Sequence, residues 1–275
     1  MGLIPQDTTV TAGESATFTS SATGNPAPTA QWYRVTGGPT FTAVPGATSP
    51  NLTLPAVRYA QSGEQYVVRY TNATGTSNSG IVTLTVLPAA PRVVTSPSSS
   101  SGLAGGTASF TAAASGDPEP SVQWSSSGDG GVTWTQIPGA TTTQLALTDL
   151  QSAQSGTQYR AEFTNVGGSA VTGVAVLTVL TQAPRVTSDP QDVTVRSEAT
   201  VTFTAAASGA PPPVVTWQRS RDHGRTWVTI PGADSTRFVV GGVTQMVTGS
   251  RYRAVFANEA GTAESRAATL SVRPR

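Results

Sequence analysis

The fold is decided by the stretch Gly-Asp-Pro-Glu-Pro-Ser-Val-Gln-Trp at residues 116–124, because the chain contains three versions of it. The other two are Gly-Asn-Pro-Ala-Pro-Thr-Ala-Gln-Trp at residues 24–32 and Gly-Ala-Pro-Pro-Pro-Val-Val-Thr-Trp at residues 209–217. Each version is a turn rich in glycine and proline that leads into a strand carrying a tryptophan, and such a tryptophan is most simply a core anchor. The tryptophans are 92 and 93 residues apart, so the sequence predicts a unit of that length repeated three times.

The repeat divides the 275 residues into three predicted domains, residues 1–89, 90–182 and 183–275. A domain of this size can bury a hydrophobic core of its own. The linkers repeat as well, since Ala-Pro-Arg-Val occurs at residues 90–93 and again at 183–186. Proline restricts the backbone in these short linkers, so we expect few inter-domain poses.

Alternation of small polar and apolar residues predicts strands and no helices. The alternation points Phe18 inward, and Phe110 and Phe203 occupy the same position in the other repeats. About seven such strands, at a spacing of roughly 8–12 residues, predict an all-β fold of three tandem antiparallel β-sandwiches. We expect one weak edge, at the start of the second repeat, where residues 98–102 read Ser-Ser-Ser-Ser-Gly.

The composition excludes several kinds of chemistry. Cysteine is absent, so the chain has neither a disulfide nor a thiolate metal site. Lysine is absent as well, which excludes lysine–asparagine isopeptide cross-links. No apolar run approaches the length of a membrane span, so we predict no membrane insertion. The N-terminal residues Met-Gly-Leu-Ile-Pro lack the apolar core of a signal peptide, and we expect an export signal outside this chain or another route of export.

Formal charge differs between the repeats. Residues 1–90 have a net charge of 0, residues 91–183 of −3 and residues 184–275 of +4, and the whole chain carries +1. The basic third repeat could attract a polyanion such as an acidic glycan. The alternative, which we favour, is a solvated arginine face with paired acids.

These residues resemble the I-set type of immunoglobulin-like domain, which has a cysteine on strand B, a tryptophan on strand C and then Tyr-x-Cys-x-Ala-x-Asn-x-x-Gly. Residues 66–75, Tyr-Val-Val-Arg-Tyr-Thr-Asn-Ala-Thr-Gly, fit this frame except at the cysteine and alanine positions. Residues 159–168 and 252–261 carry the tyrosine, the asparagine and the glycine of the same frame. The resemblance implies a tyrosine corner in each repeat. It assigns the family's cysteine positions to the pairs Ser20 and Val68, Ala112 and Ala161, and Ala205 and Ala254. A chain without these cysteines is similar to the bacterial branch of the family, whose fold implies little about a ligand.

Two stretches also resemble the Asp-box, Ser-x-Asp-x-Gly-x-Thr-Trp, known from sialidases and other β-propellers. Residues 127–134 and 220–227 match it in full, whereas the first repeat keeps only an aromatic residue, Phe41, at the tryptophan position. Propeller blades repeat at a much shorter period than 93 residues. We therefore interpret the box as a self-stabilising turn, in which the aspartate caps backbone N–H groups, glycine supplies a positive φ and tryptophan packs beneath.

Catalytic and metal-binding patterns are not evident. His223 is the only histidine and sits in a predicted loop tip. Glycoside hydrolysis needs two acids in one cleft, and calcium needs several converging oxygens. The acids considered are scattered in turns or lie near the second linker: Asp117, Glu119, Asp129, Asp149, Asp189 and Asp192. We expect the aromatic residues to be in the core, with no exposed stacking platform. We therefore predict no catalytic, cofactor-binding or metal-binding residues, no cofactor and no nucleic-acid partner.

Two functions of different class remain. One is a non-catalytic array that serves as a surface, adhesive or spacer/display module, with an unidentified protein or glycan partner. The other is an accessory region of a secreted enzyme, or a structural or decoration protein of a phage. We expect an extracellular or cell-surface location, with a phage virion as the alternative. Residues 272–275, Val-Arg-Pro-Arg, look like a further linker, so we expect a longer array. A ligand would bind at a loop cluster or an exposed sheet edge.

Overall fold

The structure is a computed structural model that describes residues 2–37 and 40–274. Met1, Gly38, Pro39 and Arg275 lie outside the described residues, and they include part of the hairpin in the first repeat and the last residue of the linker-like end. The described chain forms three consecutive β-sandwiches, called domains 1, 2 and 3 here in chain order.

Short strands joined by turns make up each domain. Domain 1 contains β1 (Thr8–Thr11), β2 (Ala16–Thr19), β3 (Thr29–Val35), β4 (Phe41–Ala43), β5 (Asn51–Leu54), β6 (Gln65–Asn72), β7 (Gly75–Asn78) and β8 (Val82–Leu87). Domain 2 contains β9 (Ala89–Thr95), β10 (Ser100–Leu103), β11 (Ala108–Thr111), β12 (Ala113–Asp117), β13 (Ser121–Ser127), β14 (Thr135–Gln136), β15 (Gln144–Leu147), β16 (Gln158–Asn165), β17 (Gly168–Val171) and β18 (Ala175–Leu180). Domain 3 contains β19 (Gln182–Ser188), β20 (Val193–Arg196), β21 (Val201–Thr204), β22 (Ala206–Ala210), β23 (Val214–Ser220), β24 (Val228–Thr229), β25 (Arg237–Val240), β26 (Arg251–Asn258), β27 (Gly261–Glu264) and β28 (Ala268–Arg273).

Among the described residues, helical structure is limited to one 3₁₀ turn in each domain, which follows β5, β15 or β25. These turns are Tyr59–Gln61, Ser152–Gln154 and Gln245–Val247. The part of the chain that the structure describes therefore has no helix with the length and apolarity needed to cross a membrane.

The three domains share one sheet topology. In domain 1 the larger sheet has the order β1-β8-β6-β3-β4, with β7 paired to β6, and β2 pairs with β5 in the second sheet. Domains 2 and 3 repeat this arrangement, and each adds a two-stranded sheet, β9–β12 or β19–β22. Pairing is antiparallel apart from one parallel pair in each domain, formed by β1–β8, β10–β18 and β20–β28. The predicted all-β fold of three tandem sandwiches is confirmed.

The predicted weak edge in domain 2 is wrong. Ser100–Leu103 forms β10 and pairs in parallel with β18, from Ser100 opposite Leu177 to Leu103 opposite Leu180. Ladder hydrogen bonds use backbone groups, which serine carries like any other residue. The Oγ of Ser99 also accepts the N–H of Val176 at 3.0 Å, so a serine strengthens the edge it was expected to weaken.

Each core is built around the repeated tryptophan. Trp32, Trp124 and Trp217 are fully buried, which confirms their prediction as core anchors. Each indole N–H donates to a backbone carbonyl, at 2.8–3.1 Å, so its polar group is satisfied inside the core. Opposite each tryptophan on the neighbouring strand lies the family's second cysteine position, occupied by Val68, Ala161 and Ala254.

A phenylalanine–tyrosine contact completes each core. Phe18, Phe110 and Phe203 are buried, as the alternation predicts, and each packs on the tyrosine that the resemblance places at the corner. The ring centroids of Phe110 and Tyr159 lie 4.8 Å apart. In domain 1, burial raises the pKa of Tyr66, and its hydrogen bond to Glu64 raises it further. Each core therefore has an aromatic pair beside its tryptophan.

Candidate functional site at the domain junctions

Four of the six acids singled out in the sequence accept backbone N–H groups: Asp117, Asp129, Asp189 and Asp192. In domain 3, Asp189 accepts the N–H of Arg266 at 2.7 Å and Asp192 accepts that of Thr269 at 2.8 Å. His223 is exposed at a loop tip with a φ of 63°, and its carbonyl accepts the Arg251 guanidinium at 2.8 Å. Nowhere in residues 2–37 and 40–274 do three or more acid or histidine side chains come together to hold a metal.

The Asp-box is the self-stabilising turn that its sequence predicts. In domain 2, Asp129 accepts the N–H of Thr133 at 2.9 Å and the hydroxyl of Ser127 at 2.7 Å. Gly131, with a φ of 93°, donates its N–H to the Ser127 hydroxyl. The hydrogen bond from the Thr133 hydroxyl is the main reason that the pKa of Asp129 is lowered. Asp222 in domain 3 has the same contacts and its pKa is lowered for the same reason.

The expectation that all aromatic residues lie in the core is wrong for the tryptophans of the two boxes. Trp134 and Trp227 are partly exposed on the outer face of the larger sheet. The guanidinium of Arg160 lies 4.0 Å from the Trp134 ring centroid, and that of Arg253 lies 4.3 Å from the Trp227 centroid. These are cation–π contacts, and they cover the ring face that a sugar or base would need.

The junctions are where the structure brings together residues from different repeats. A single residue, Pro88, separates β8 of domain 1 from β9 of domain 2. The second junction is equally short, because Thr181 alone separates β18 from β19. Both linkers are themselves strands, since β9 pairs with β12 and β19 pairs with β22. The polypeptide thus leaves one sandwich and enters the next without a flexible segment.

An asparagine fastens each linker strand to the domain that follows. The Nδ2 of Asn165 donates to the carbonyls of Ala89, at 2.9 Å, and Pro118, at 2.7 Å. Asn258 repeats this pair of bonds in domain 3, at 2.8 Å to both acceptors, Gln182 and Pro211. Each asparagine therefore bridges the linker and the Gly/Pro turn that precedes the core tryptophan.

The 3₁₀ turn of one domain meets an acid of the next at both junctions. The N–H of Tyr59 donates to the Asp117 carboxylate at 3.1 Å, and the Ser152 hydroxyl donates to the Glu259 carboxylate at 2.6 Å. Tyr59 and Ser152 both begin a 3₁₀ turn. The acids come from different places in their domains, since Asp117 is the last residue of β12 and Glu259 lies between β26 and β27. The same kind of contact is therefore made by non-equivalent residues.

One pair of equivalent positions lies at both junctions. A cleft of about 690 Å³ between domains 1 and 2 is lined by Gly13, Asp117 and Glu119 among others. The counterpart of Gly13 in domain 2 is Gly105, where an added Cβ would lie 3.1 Å from Pro212 Cδ, at the position of Glu119 in domain 3. The cleft does bring two of the scattered acids together, but the Asp117 carboxylate is bound to the Tyr59 backbone.

Comparison with protein families is consistent with this geometry. Residues 1–86 and 184–272 match the immunoglobulin I-set domain, and residues 93–181 match a domain of unknown function, DUF8696. The chain belongs to the immunoglobulin I-set family. Its fold is also similar to a solved array of immunoglobulin domains: Sidekick-1 immunoglobulin domains 1–5 superpose with a TM-score of 0.57 at 21% identity, covering 99% of this chain and 58% of that one.

The relatives of this I-set chain are proteins of different kinds. Endoglucanase C of Cellulomonas fimi is 44% identical over 190 residues, which is 69% of this chain and 17% of that protein. Mouse Roundabout homolog 1 is 30% identical over 86% of this chain, and mouse Peroxidasin homolog is 30% identical over 78% of it. This chain spans 14% of the length of each of these two. The similarity therefore covers only a small part of each relative's length.

Proposed function

We propose that this chain is a non-catalytic spacer that holds its neighbours at fixed positions outside the cell. The observation that carries the proposal is the one-residue separation of strands at both junctions, by Pro88 and Thr181. A linker strand that is hydrogen-bonded into the next sandwich has few conformations to sample. The direct bonds from Tyr59 to Asp117 and from Ser152 to Glu259 restrict rotation further.

The setting that the comparisons favour is an accessory region of a secreted enzyme. The 44% identity to part of Endoglucanase C supports it, because a spacer of this kind would position a catalytic domain relative to its substrate. An adhesive array is the second candidate, supported by the 30% identity to Roundabout homolog 1. Both candidates place the chain outside the cell, with a protein or glycan as partner in the second.

Distances between spin labels test the spacer function. The chain lacks cysteine, so introduced cysteines give unique labelling sites. Thr53, Ala146 and Val239 are exposed, equivalent positions on β5, β15 and β25. Double electron–electron resonance on the pairs 53/146 and 146/239 should give narrow distance distributions. A Gly-Ser-Gly-Ser insertion between Pro88 and Ala89 should broaden the first distribution and leave the second unchanged.

The insertion supplies the internal control, because both distances can be measured in the same variant. Broad distributions in the unmodified chain would contradict the proposal. Equal widths with and without the insertion would contradict it as well, since the width would then not depend on the junction.

A further inference from the structure

Domain 1 holds one of its own carboxylates between an arginine and a tyrosine, near the end of the tryptophan strand. Arg34 on β3 lies opposite Tyr66 on β6. The carboxylate of Glu64 accepts a hydrogen bond from the Arg34 guanidinium at 2.9 Å through Oε1, and one from the Tyr66 hydroxyl at 2.6 Å through Oε2. An arginine paired with a tyrosine at this position of the sandwich therefore binds one carboxylate group.

Domain 3 repeats the arginine and the tyrosine but not the acid. Arg219 lies opposite Tyr252 in the same register, and Ser250 takes the position of Glu64. The backbone fixes this equivalence, because Glu64 and Ser250 each accept the N–H of a leucine on the last strand of their domain, at 2.8 and 2.9 Å. Among the described residues, Arg219 forms no ion pair with a carboxylate.

A second arginine adds positive charge at the same place. Arg221 is exposed just after the end of β23. Burial raises the pKa of the Tyr252 hydroxyl, and the charges of Arg219 and Arg221 oppose part of that rise, so both guanidinium groups act on the hydroxyl. The next acid along the chain, Asp222, uses its carboxylate inside the box turn. The arginine of domain 1 is neutralised by an acid, whereas domain 3 gathers two arginines around the same tyrosine position.

An apolar pocket of about 220 Å³ opens beside Arg219. Its lining includes four apolar side chains and the tyrosine ring: Val228, Ile230, Phe238, Val240 and Tyr252. The volume is below the roughly 300–1,000 Å³ of sites for drug-sized ligands, and it suits a single apolar side chain. The bonds from Tyr59 and Ser152 that join neighbouring domains start from the 3₁₀ turns, so the pocket is not a surface of the kind that the junctions use.

We infer that domain 3 binds an acidic peptide segment of a partner protein, with one carboxylate between Arg219 and the Tyr252 hydroxyl and an adjacent apolar side chain in the pocket. A peptide is chosen because the carboxylate at the equivalent place in domain 1 belongs to a glutamate. An acidic glycan is disfavoured, because the apolar pocket would leave sugar hydroxyl groups without hydrogen-bond partners. The net charge of +4 on residues 184–275 would steer an acidic segment toward this domain.

The test is a titration of the isotope-labelled full chain with the probe acetyl-Leu-Glu-Leu-amide to millimolar concentration. Backbone amide spectra should show saturable shifts confined to residues 219–221, 228–231, 238–240 and 250–252. The neutral probe acetyl-Leu-Gln-Leu-amide has nearly the same shape, and it should bind about tenfold more weakly because it lacks charge-assisted hydrogen bonds. A digalacturonate probe represents the glycan and should bind more weakly than the glutamate peptide.

Three chain variants connect the binding to the arginine. Ser250→Glu restores the acid of domain 1 and should abolish binding of the glutamate probe, because the chain's own carboxylate then occupies Arg219. Arg219→Gln should weaken binding about tenfold. Arg185→Gln, at an exposed position on β19, is the matched control and should bind like the parent.

The two glutamine variants decide the question even if Ser250→Glu misfolds. The proposal is overturned by an absence of saturable shifts in the parent chain, by shifts elsewhere, or by equal binding of the glutamate and glutamine probes. Tighter binding of digalacturonate would overturn it in favour of a glycan, and equal losses in Arg219→Gln and Arg185→Gln would reduce it to general attraction by positive charge. The site lies within one domain, so its failure leaves the spacer function untouched.

Discussion

At the scale of single residues, stability depends on which aromatic rings are buried. Trp124 is fully buried with its N–H satisfied, while Trp134 in the same domain is partly exposed beneath Arg160. Trp124→Ala should therefore lower the free energy of unfolding by about 3–5 kcal/mol. Trp134→Ala serves as the matched control and should cost less, because its ring keeps part of its surface in water. Chemical denaturation of both variants measures this, and equal losses would contradict the assignment of Trp124 to the core.

The Asp-box aspartates predict a pH dependence of stability. Hydrogen bonds from Thr226 and Ser220 lower the pKa of Asp222 in the folded state. A lowered folded-state pKa adds stability above the unfolded value of about 3.9, and this stability disappears as the pH falls through the folded-state pKa. Asp222→Asn should thus lower the melting temperature near neutral pH, and the difference from the parent should shrink in acid.

Asp234→Asn controls for the loss of a charge in the same domain. Asp234 is exposed, and the described structure gives it no hydrogen bond or ion pair. A melting-temperature difference for Asp222→Asn that is constant with pH would show that the carboxylate does not stabilise the turn through its charge.

At the scale of strands, the elements that could be predicted are those whose sequence recurs from one repeat to the next. The tryptophan strand, the inward phenylalanines and the box turn recur at fixed spacing, and all are found. β10 could not be predicted from Ser-Ser-Ser-Ser-Gly, because its pairing with β18 rests on backbone groups. The exposure of Trp134 and Trp227 was missed because a hairpin tryptophan and a core tryptophan look alike in a short window.

The strand register predicts where a cross-core disulfide can form. Ala112 and Ala161 are both fully buried, and Ala161 lies opposite Trp124 on the neighbouring strand. The family resemblance places cysteines at these two positions, so the double variant Ala112→Cys with Ala161→Cys should oxidise spontaneously. The closed loop should add up to about 4 kcal/mol of stability, less any strain.

Moving one partner by a single residue is the control. Glu162 is exposed because successive strand residues point to opposite faces, so Ala112→Cys with Glu162→Cys should stay reduced. Thiol titration under mild oxidation distinguishes the two variants. Free thiols in the first, or equal bridging in both, would show that the register is wrong.

At the scale of the whole molecule, the proposed spacer function depends on the junctions. The repeated Ala-Pro-Arg-Val predicts short linkers, but not the contacts that hold them. Asp117 ends β12 and Glu259 lies between β26 and β27, so no repeated residue marks them. These contacts join residues that are far apart in the chain.

The most direct test of the spacer function is the distance that spans both junctions. Spin labels at Thr53 and Val239 report the relative placement of domains 1 and 3 in one measurement. If both junctions hold a fixed pose, the unmodified chain gives a single narrow distance distribution that stays narrow on warming below the melting transition. A broad or multi-peaked distribution in the folded, unmodified chain would show that the domains move independently and would contradict the spacer function.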